Sequence, residues 1–178
     1  MIQIDGFMKT IERHRYDGDT IIGTRVLEFE PWSLDDVEEV LYLIQTHLTV
    51  DLLKGKRLMY PKDKGFNRFY GHCYHATQAL CYLIDSDELV AYSGEDYRGE
   101  KHWWAQHGET VYDCTAEQYW KVGENPPYDT GKKTKWYGWK GRPQQVSMDL
   151  CVRVLGQRLE REYIRALTGH APPVIVTR

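Results

Sequence analysis

The segment HWWAQHGETVYD, residues 102–113, holds in His107-Gly108 the glycine that a two-residue hairpin turn requires, since such turns need positive φ. It is predicted to fold as a tight antiparallel hairpin, and counting outward from the turn sets the register. Gln106 faces Glu109, Ala105 faces Thr110, Trp104 faces Val111, Trp103 faces Tyr112 and His102 faces Asp113. A four-residue loop keeps this register, whereas a three-residue loop with a bulge moves it by one and separates the two side chains. Side chains alternate along a strand, so His102, Trp104, Val111 and Asp113 share one face. A carboxylate is thereby placed to hold an imidazole.

Upstream, GHCYHATQALCYLI reads as a helix opening at Cys73, with Ala76, Leu80 and Leu83 aligned beneath the thiol on one apolar face. A cysteine in the first turn of a helix meets the positive end of the helix dipole and free backbone N–H groups, both of which favour thiolate. An imidazole beside it completes a nucleophile and base, and Asp113 would fix the tautomer and orientation of that ring. The expected roles are Cys73 as nucleophile, His102 as base and Asp113 as orienter. The backbone N–H of Cys73 is one oxyanion donor. Asn67 and Tyr70, in the loop before it, are candidates for the second. Trp104, Tyr74 and Gln118 are candidates for the substrate rim.

The remainder of the chain supplies a frame. Alternation at Ile2 and Ile4, then TIIGTRVLEFE after the turn signal Asp17-Gly18-Asp19, predicts strands in the first 30 residues. Ser33 followed by Asp35 and Asp36 reads as a helix N-cap. Leu34, Val37, Val40, Leu41, Ile44, Leu48 and Leu52 then form one stripe at helical spacing. Residues 54–71 are a polar, glycine-punctuated loop, and Leu89 to Ser93 a short strand. Residues 119–142 are expected to be irregular with strand fragments. A last helix is predicted from about Pro143, with Cys151, Val154, Leu155, Leu159, Tyr163 and Leu167 along its stripe, until Gly169 and Pro172-Pro173 stop it. Gly156 interrupts that helix at a cost of about 1 kcal/mol relative to alanine.

At 178 residues and a net charge of -3, the chain suits one domain and has no overall pull toward nucleic acid or anionic lipid. Basic residues nevertheless crowd two segments: Lys54, Lys56, Arg57, Lys62, Lys64 and Arg68, and then Lys132, Lys133, Lys135, Lys140 and Arg142. These read either as solvated loops or as the seat of an anionic substrate or partner. No apolar run approaches the roughly 20 residues of a membrane span. The start MIQIDGFMKTIERHR lacks the apolar stretch of a signal peptide, so a cytoplasmic protein with no membrane partner is expected. Cys73, Cys81, Cys114 and Cys151 show no disulfide-scaffold spacing, and Cys81, Cys114 and Cys151 read as structural.

Zinc ligand types are present in His72, Cys73, His75, His102 and Cys114, but their spacing argues against a metal site. His75 projects about 200° around the helix axis from Cys73. His107 lies roughly 17 Å along the strand from His102. Cys73, His102 and Asp113 remain the one trio that could coordinate a metal as well as relay a proton. No cofactor is expected.

The stretches GHCYHATQALCYLI and HWWAQHGETVYDCT, with G-x-C opening a helix, then H-W, then a strand ending in D-x-T, resemble the transglutaminase-like core that also includes the peptide N-glycanases. The resemblance covers about residues 65–118. It implies an α+β, papain-like fold, in which a central helix starting at Cys73 packs on an antiparallel sheet carrying His102 and Asp113. It also implies the same triad roles for these residues. The His-to-Asp interval is shorter than in transglutaminases, a departure implying that loops of their substrate clefts are absent. The chain is also similar to small uncharacterised bacteriophage proteins carrying GxCYxA, HWW and DxTxxQ, the last being Asp113, Thr115 and Gln118 here. That likeness brings no activity, and implies a host cytoplasm as location.

Three functions compete at this stage. The first is a cysteine enzyme that attacks an amide or acyl carbon through a thioester, whether as hydrolase, deamidase or acyltransferase, on a small-molecule or peptide substrate. The second is an acyl-carrier-dependent N-acyltransferase whose basic loops seat the carrier's phosphate. The third is a non-catalytic protein of the same fold that binds a partner through basic loops and exposed aromatics. Nucleic acid ranks low as that partner because no recognised nucleic-acid motif is present.

Overall fold

Two glycine-led turns organise the β-structure of the chain, whose computed structural model describes residues 8–53 and 67–168. The first joins β1 (Lys9–Asp17) to β2 (Thr20–Phe29), with Asp17 paired to Thr20 and Gly18 at φ 57°. The second joins β4 (Lys101–His107) to β5 (Thr110–Tyr112), with His107 paired to Thr110 and Gly108 also at φ 57°. In both, glycine is the first of the two central residues and an acidic residue follows it without positive φ, the pattern of a II′ turn.

The second turn therefore corrects the expected register. Its central pair is Gly108-Glu109 rather than His107-Gly108, and Ala105 pairs with Tyr112 and Gln106 with Val111. The reason is local: a turn centred on His107-Gly108 would ask His107 for positive φ, which a residue with a Cβ adopts at a cost, whereas Gly108 in first place meets the need by itself. The shift is by two residues, so every side chain keeps its predicted face.

A four-stranded antiparallel sheet runs in the order β5-β4-β3-β6, with β3 at Val90–Glu95 and β6 at Lys132–Lys133; β1 and β2 form a separate ribbon. Helix α2 (Cys73–Leu83) packs against the four-stranded sheet and against α1 (Val37–Thr46) and α4 (Gln145–Thr168). The fold is thus mixed α+β. From α1 and the turn after it, Val37, Val40, Ile44, Leu48 and Leu52 are buried as the stripe predicts, while Leu34 and Leu41 lie at its half-buried margin. Ala76, Leu80 and Leu83 of α2 and Cys151, Val154 and Leu155 of α4 complete this core.

Ser33 does not cap α1. A 3₁₀ turn over Leu34–Asp36 directs Asp36 N onto Ser33 O at 3.1 Å, and the Ser33 hydroxyl instead donates to the Asp36 carboxylate at 3.1 Å. Residues 119–142 are largely irregular, but they open within a short helix α3 (Glu117–Trp120), hold a 3₁₀ turn over Tyr128–Thr130, and contain β6, which adds an edge to the sheet. Ile2, Ile4, the basic residues Lys54 to Lys64, Gly169, Pro172 and Pro173 lie outside the described residues, as do the side chains of Leu159, Tyr163 and Leu167. No helix among the described residues is long and apolar enough to cross a membrane.

Candidate active site

Cys73 is delivered by a compact turn that its own sequence dictates. Asn67 Oδ1 accepts a hydrogen bond from Phe69 N at 3.0 Å, Tyr70 N donates to Asn67 O at 3.0 Å, and Gly71 takes φ 85° to turn the chain into α2. The first helical bond, Ala76 N to His72 O at 2.9 Å, leaves the N–H of Cys73 outside the α2 ladder. The thiol is half-buried and lies 3.9 Å from Lys101 O, at the start of β4. Its side chain is also within hydrogen-bonding reach of the His102 ring.

His102 is almost sealed, with 1 % of its surface exposed. Its Nε2 lies 2.6 Å from Asp113 Oδ2, which leaves Nδ1 as the ring nitrogen free to exchange a proton with the thiol. Burial pushes the imidazole toward its neutral form, but the charge and hydrogen bond of Asp113, with a further contribution from Cys73, outweigh it and raise the pKa to about 10. Asp113 follows β5, two residues diagonal to His102 in the register. Four donors satisfy its carboxylate. Oδ2 accepts from His102 and from Tyr128 Oη at 2.8 Å, while Oδ1 accepts from Thr115 N at 2.9 Å and Thr115 Oγ1 at 3.3 Å. The Asp113-x-Thr115 spacing is thus an Asx turn that fixes the carboxylate.

These groups border a cleft of about 290 Å³ lined by Tyr70, Gly71, Cys73, His102, Gln118 and Tyr119, with Asp96, Arg98, Glu100 and Lys101 around them. Among the other residues singled out in the sequence, Tyr70 and Gln118 reach it. The Tyr70 hydroxyl donates to Glu100 Oε2, and Gln118 donates through Nε2 to Thr115 O at 3.1 Å and accepts from Arg98 at 3.4 Å.

Three expected positions are corrected. Asn67 turns its amide to Phe69 N and, at 3.4 Å, to Glu117 Oε2, because the reversal before α2 uses it as a turn residue; it does not line the cleft. Trp104 is fully buried and lies behind the imidazole rather than at the rim, its ring 5.9 Å from that of His102 at 26°. Tyr74 is buried on another side of α2, edge-on to Trp103 at 4.8 Å and stacked on Tyr137 at 5.4 Å, with its hydroxyl accepting from Tyr137 N. A residue next to Cys73 on a helix points about 100° away from it, so Tyr74 cannot face the same cleft.

Sequence reasoning missed the far wall of the site. Tyr119 packs edge-on to the His102 ring at 4.8 Å and donates its hydroxyl to Asp96 Oδ2 at 2.9 Å. Asp96 also holds the Arg98 guanidinium through Nε at 3.1 Å and Nη2 at 2.7 Å, and accepts the backbone N–H of Arg98 and Glu100. Burial raises the Asp96 pKa, but these donors more than compensate and hold it below the usual carboxylate range. Asp96 and Gly99 stand at the first and last places of a β-turn, a signal legible in D-Y-R-G; the carboxylate's long-range partner is not. Tyr128 joins the site from a 3₁₀ turn over Tyr128–Thr130, in a segment that carries no motif.

Among the described residues, no group of three His, Cys, Asp or Glu side chains is arranged to hold a metal ion. In the trio itself the carboxylate and the thiol each engage the imidazole. Comparison of the chain with protein-family models, curated proteins and solved structures gives no match.

Proposed function

We propose that the protein is a cysteine-dependent enzyme built on a papain-like, transglutaminase-like core, acting on an amide or related acyl carbon through a thioester. The observation that carries this reading is the sealed His102–Asp113 pair beside a half-open thiol at the start of a helix, with a small cleft above them. The imidazole's raised proton affinity suits it to hold the proton that leaves Cys73.

The proton of the Cys73 thiol rests on His102 Nδ1 as the imidazolium, and the sulfur attacks the carbonyl carbon as the thiolate, while the Cys73 N–H receives the developing oxyanion. Collapse breaks the bond to the leaving amine, which departs with the proton from His102. Water or a second amine then attacks the thioester, gives its proton to His102, and releases sulfur as the thiolate. A cleft of about 290 Å³ admits an acyl group or single side chain from a small molecule or peptide. The cytoplasm, of a host cell for a phage protein, is the proposed location.

An activated ester tests the reading without the natural substrate. Incubation with p-nitrophenyl acetate should release nitrophenolate and leave an acyl group on the peptide containing Cys73, read by intact mass and peptide mapping. The adduct should be absent in Cys73→Ala and form far more slowly in His102→Ala. Equal ester turnover in Cys73→Ala would end the proposal.

A further inference from the structure

A second concavity lies apart from the thiol. It is a groove of about 700 Å³ between the C-terminal half of α2, the start of β3 and the segment after β6, and it shares no lining residue with the Cys73 cleft. Its size is that of a drug-like ligand site. Lys9, Lys133 and Lys135 line it against one carboxylate, Asp87. Such a local excess of positive charge stands out in a chain of net charge -3.

Aromatic rings accompany the lysines. Trp136 lines the groove while its ring stacks on Trp103 at 5.6 Å and 16°, so its place is set by the core. Trp139 lines it too and leaves 45 % of its surface exposed to solvent. These residues come from KKTKWYGWKGR, the basic segment that the Cys73 cleft leaves unused. Lys9 is anchored at the groove's floor, where its ammonium donates to Tyr82 O at 3.0 Å and Ile84 O at 3.2 Å at the end of α2.

We propose that this groove binds a planar aromatic anion of the nucleotide type, with Trp139 stacking on the base and Lys133 and Lys135 pairing with the phosphate. A charged rim beside an open indole is the chemistry by which proteins hold bases without reading them. Four uncharged polar side chains of the lining are already engaged: Thr134 with Ser93 and Lys132 O, Ser86 with Glu88 N, Gln78 with Gln144 N and Tyr74, and Tyr82 with Thr10 O. Base identity is therefore weakly discriminated, and the four ribonucleoside monophosphates bind with similar affinity. The ligand is a free nucleotide or the end of a single strand, which present the same base and phosphate.

Tryptophan fluorescence titration of the full chain tests this, with AMP, adenosine, inorganic phosphate and an oligothymidylate as probes. AMP should quench saturably, with adenosine and phosphate alone each binding about tenfold more weakly or worse, because each lacks half of the recognition. The exposed positions allow Trp139→Ala and Lys133→Glu with Lys135→Glu to be made in a protein whose circular dichroism is unchanged, and each should weaken AMP by about tenfold. Neutral Lys133→Gln with Lys135→Gln should fall between. Cys73→Ala should bind AMP normally, which separates this proposal from the fate of the enzyme reading. Equal affinity for AMP and the oligomer marks a free nucleotide as the source; tighter, steeply salt-dependent binding of the oligomer marks a strand end. Absence of quenching by both at millimolar concentration, or binding indifferent to Trp139→Ala and to charge reversal, overturns it.

Discussion

His102 Nε2 and Asp113 Oδ2 are bonded across 2.6 Å although the hairpin register sets Asp113 opposite Trp104, not opposite His102. The bond is diagonal, and it survives because the register differs from the expected one by an even number of residues. A slip of one residue would turn the carboxylate to the other face of the sheet. Trp104, directly opposite Asp113, is fully buried and stacks its ring on that of His102 at 5.9 Å.

Stability should depend on pH through this pair, with a definite sign. The imidazole pKa is raised on folding from an ordinary 6.5 to about 10, so the native state binds that proton more tightly than the unfolded chain. The contribution is fully present below about pH 6.5 and is lost as pH rises through about 10. Urea unfolding of the wild type and His102→Gln should show a stability gap that narrows across that window. A gap constant with pH would mean that His102 is not held as the imidazolium.

Asp113→Asn keeps the shape of the orienter but removes its charge, and an amide can present the wrong group to Nε2. Acylation by an activated ester should fall by about 10⁴-fold while the fold persists. Tyr128→Phe removes one of the two donors on Asp113 Oδ2 and should cost about 2 kcal/mol of stability, as for a hydrogen bond to a charged group. Its acylation rate should lie between those of the wild type and Asp113→Asn. A Tyr128→Phe protein identical to the wild type in both readouts would show that Tyr128 does not hold the carboxylate.

The parts of the site that were legible in the sequence are those made by local rules. A helix opening at Cys73 follows from apolar spacing, and the shared face of His102 and Asp113 follows from strand alternation, which tolerates an error of two in register. The role of the Asp113-x-Thr115 spacing is a turn rule of the same kind. What stayed hidden depends on contacts between distant segments: Tyr119 against His102, Asp96 against Tyr119, and Tyr128 against Asp113. Asn67 was misplaced for the opposite reason, since a turn role two residues away competes with any role in the cleft. Tyr74 and Trp104 were misplaced because aromatic character does not distinguish a rim from a core.

Gly131 is required by the Trp104 ring. A Cβ built there would stand 2.1 Å from Trp104 Cη2 and 2.3 Å from Cζ2, and Trp104 is fully buried with its ring stacked on His102 at 5.9 Å. Gly131→Ala should therefore destabilise the protein by about 1–3 kcal/mol through overpacking and slow ester acylation by displacing the imidazole. Gly156 in α4 is the contrasting position, with nothing within 4 Å of an added Cβ. Gly156→Ala should raise stability by about 1 kcal/mol and leave acylation unchanged. Thermal unfolding of the two variants beside the wild type reads both signs.

The four cysteines should separate by reactivity in the folded protein. Cys114 and Cys151 are buried in the main core, and burial pushes both thiols well above their ordinary pKa. Cys81 packs at the margin of the same core, where burial raises its thiol to about 12 despite the nearby Lys9 ammonium. Each therefore offers almost no thiolate at neutral pH, and thiolate is the species that alkylates. Cys73 alone opens onto the 290 Å³ cleft with the His102 ring beside it to hold its proton. Iodoacetamide at neutral pH, followed by peptide mapping, should modify Cys73 and spare the other three until denaturant is added. The rate at Cys73 should fall in His102→Ala, because the proton acceptor is gone. Uniform labelling of all four, or a Cys73 rate untouched by His102→Ala, would separate the thiol from the imidazole and remove the basis of the proposed chemistry.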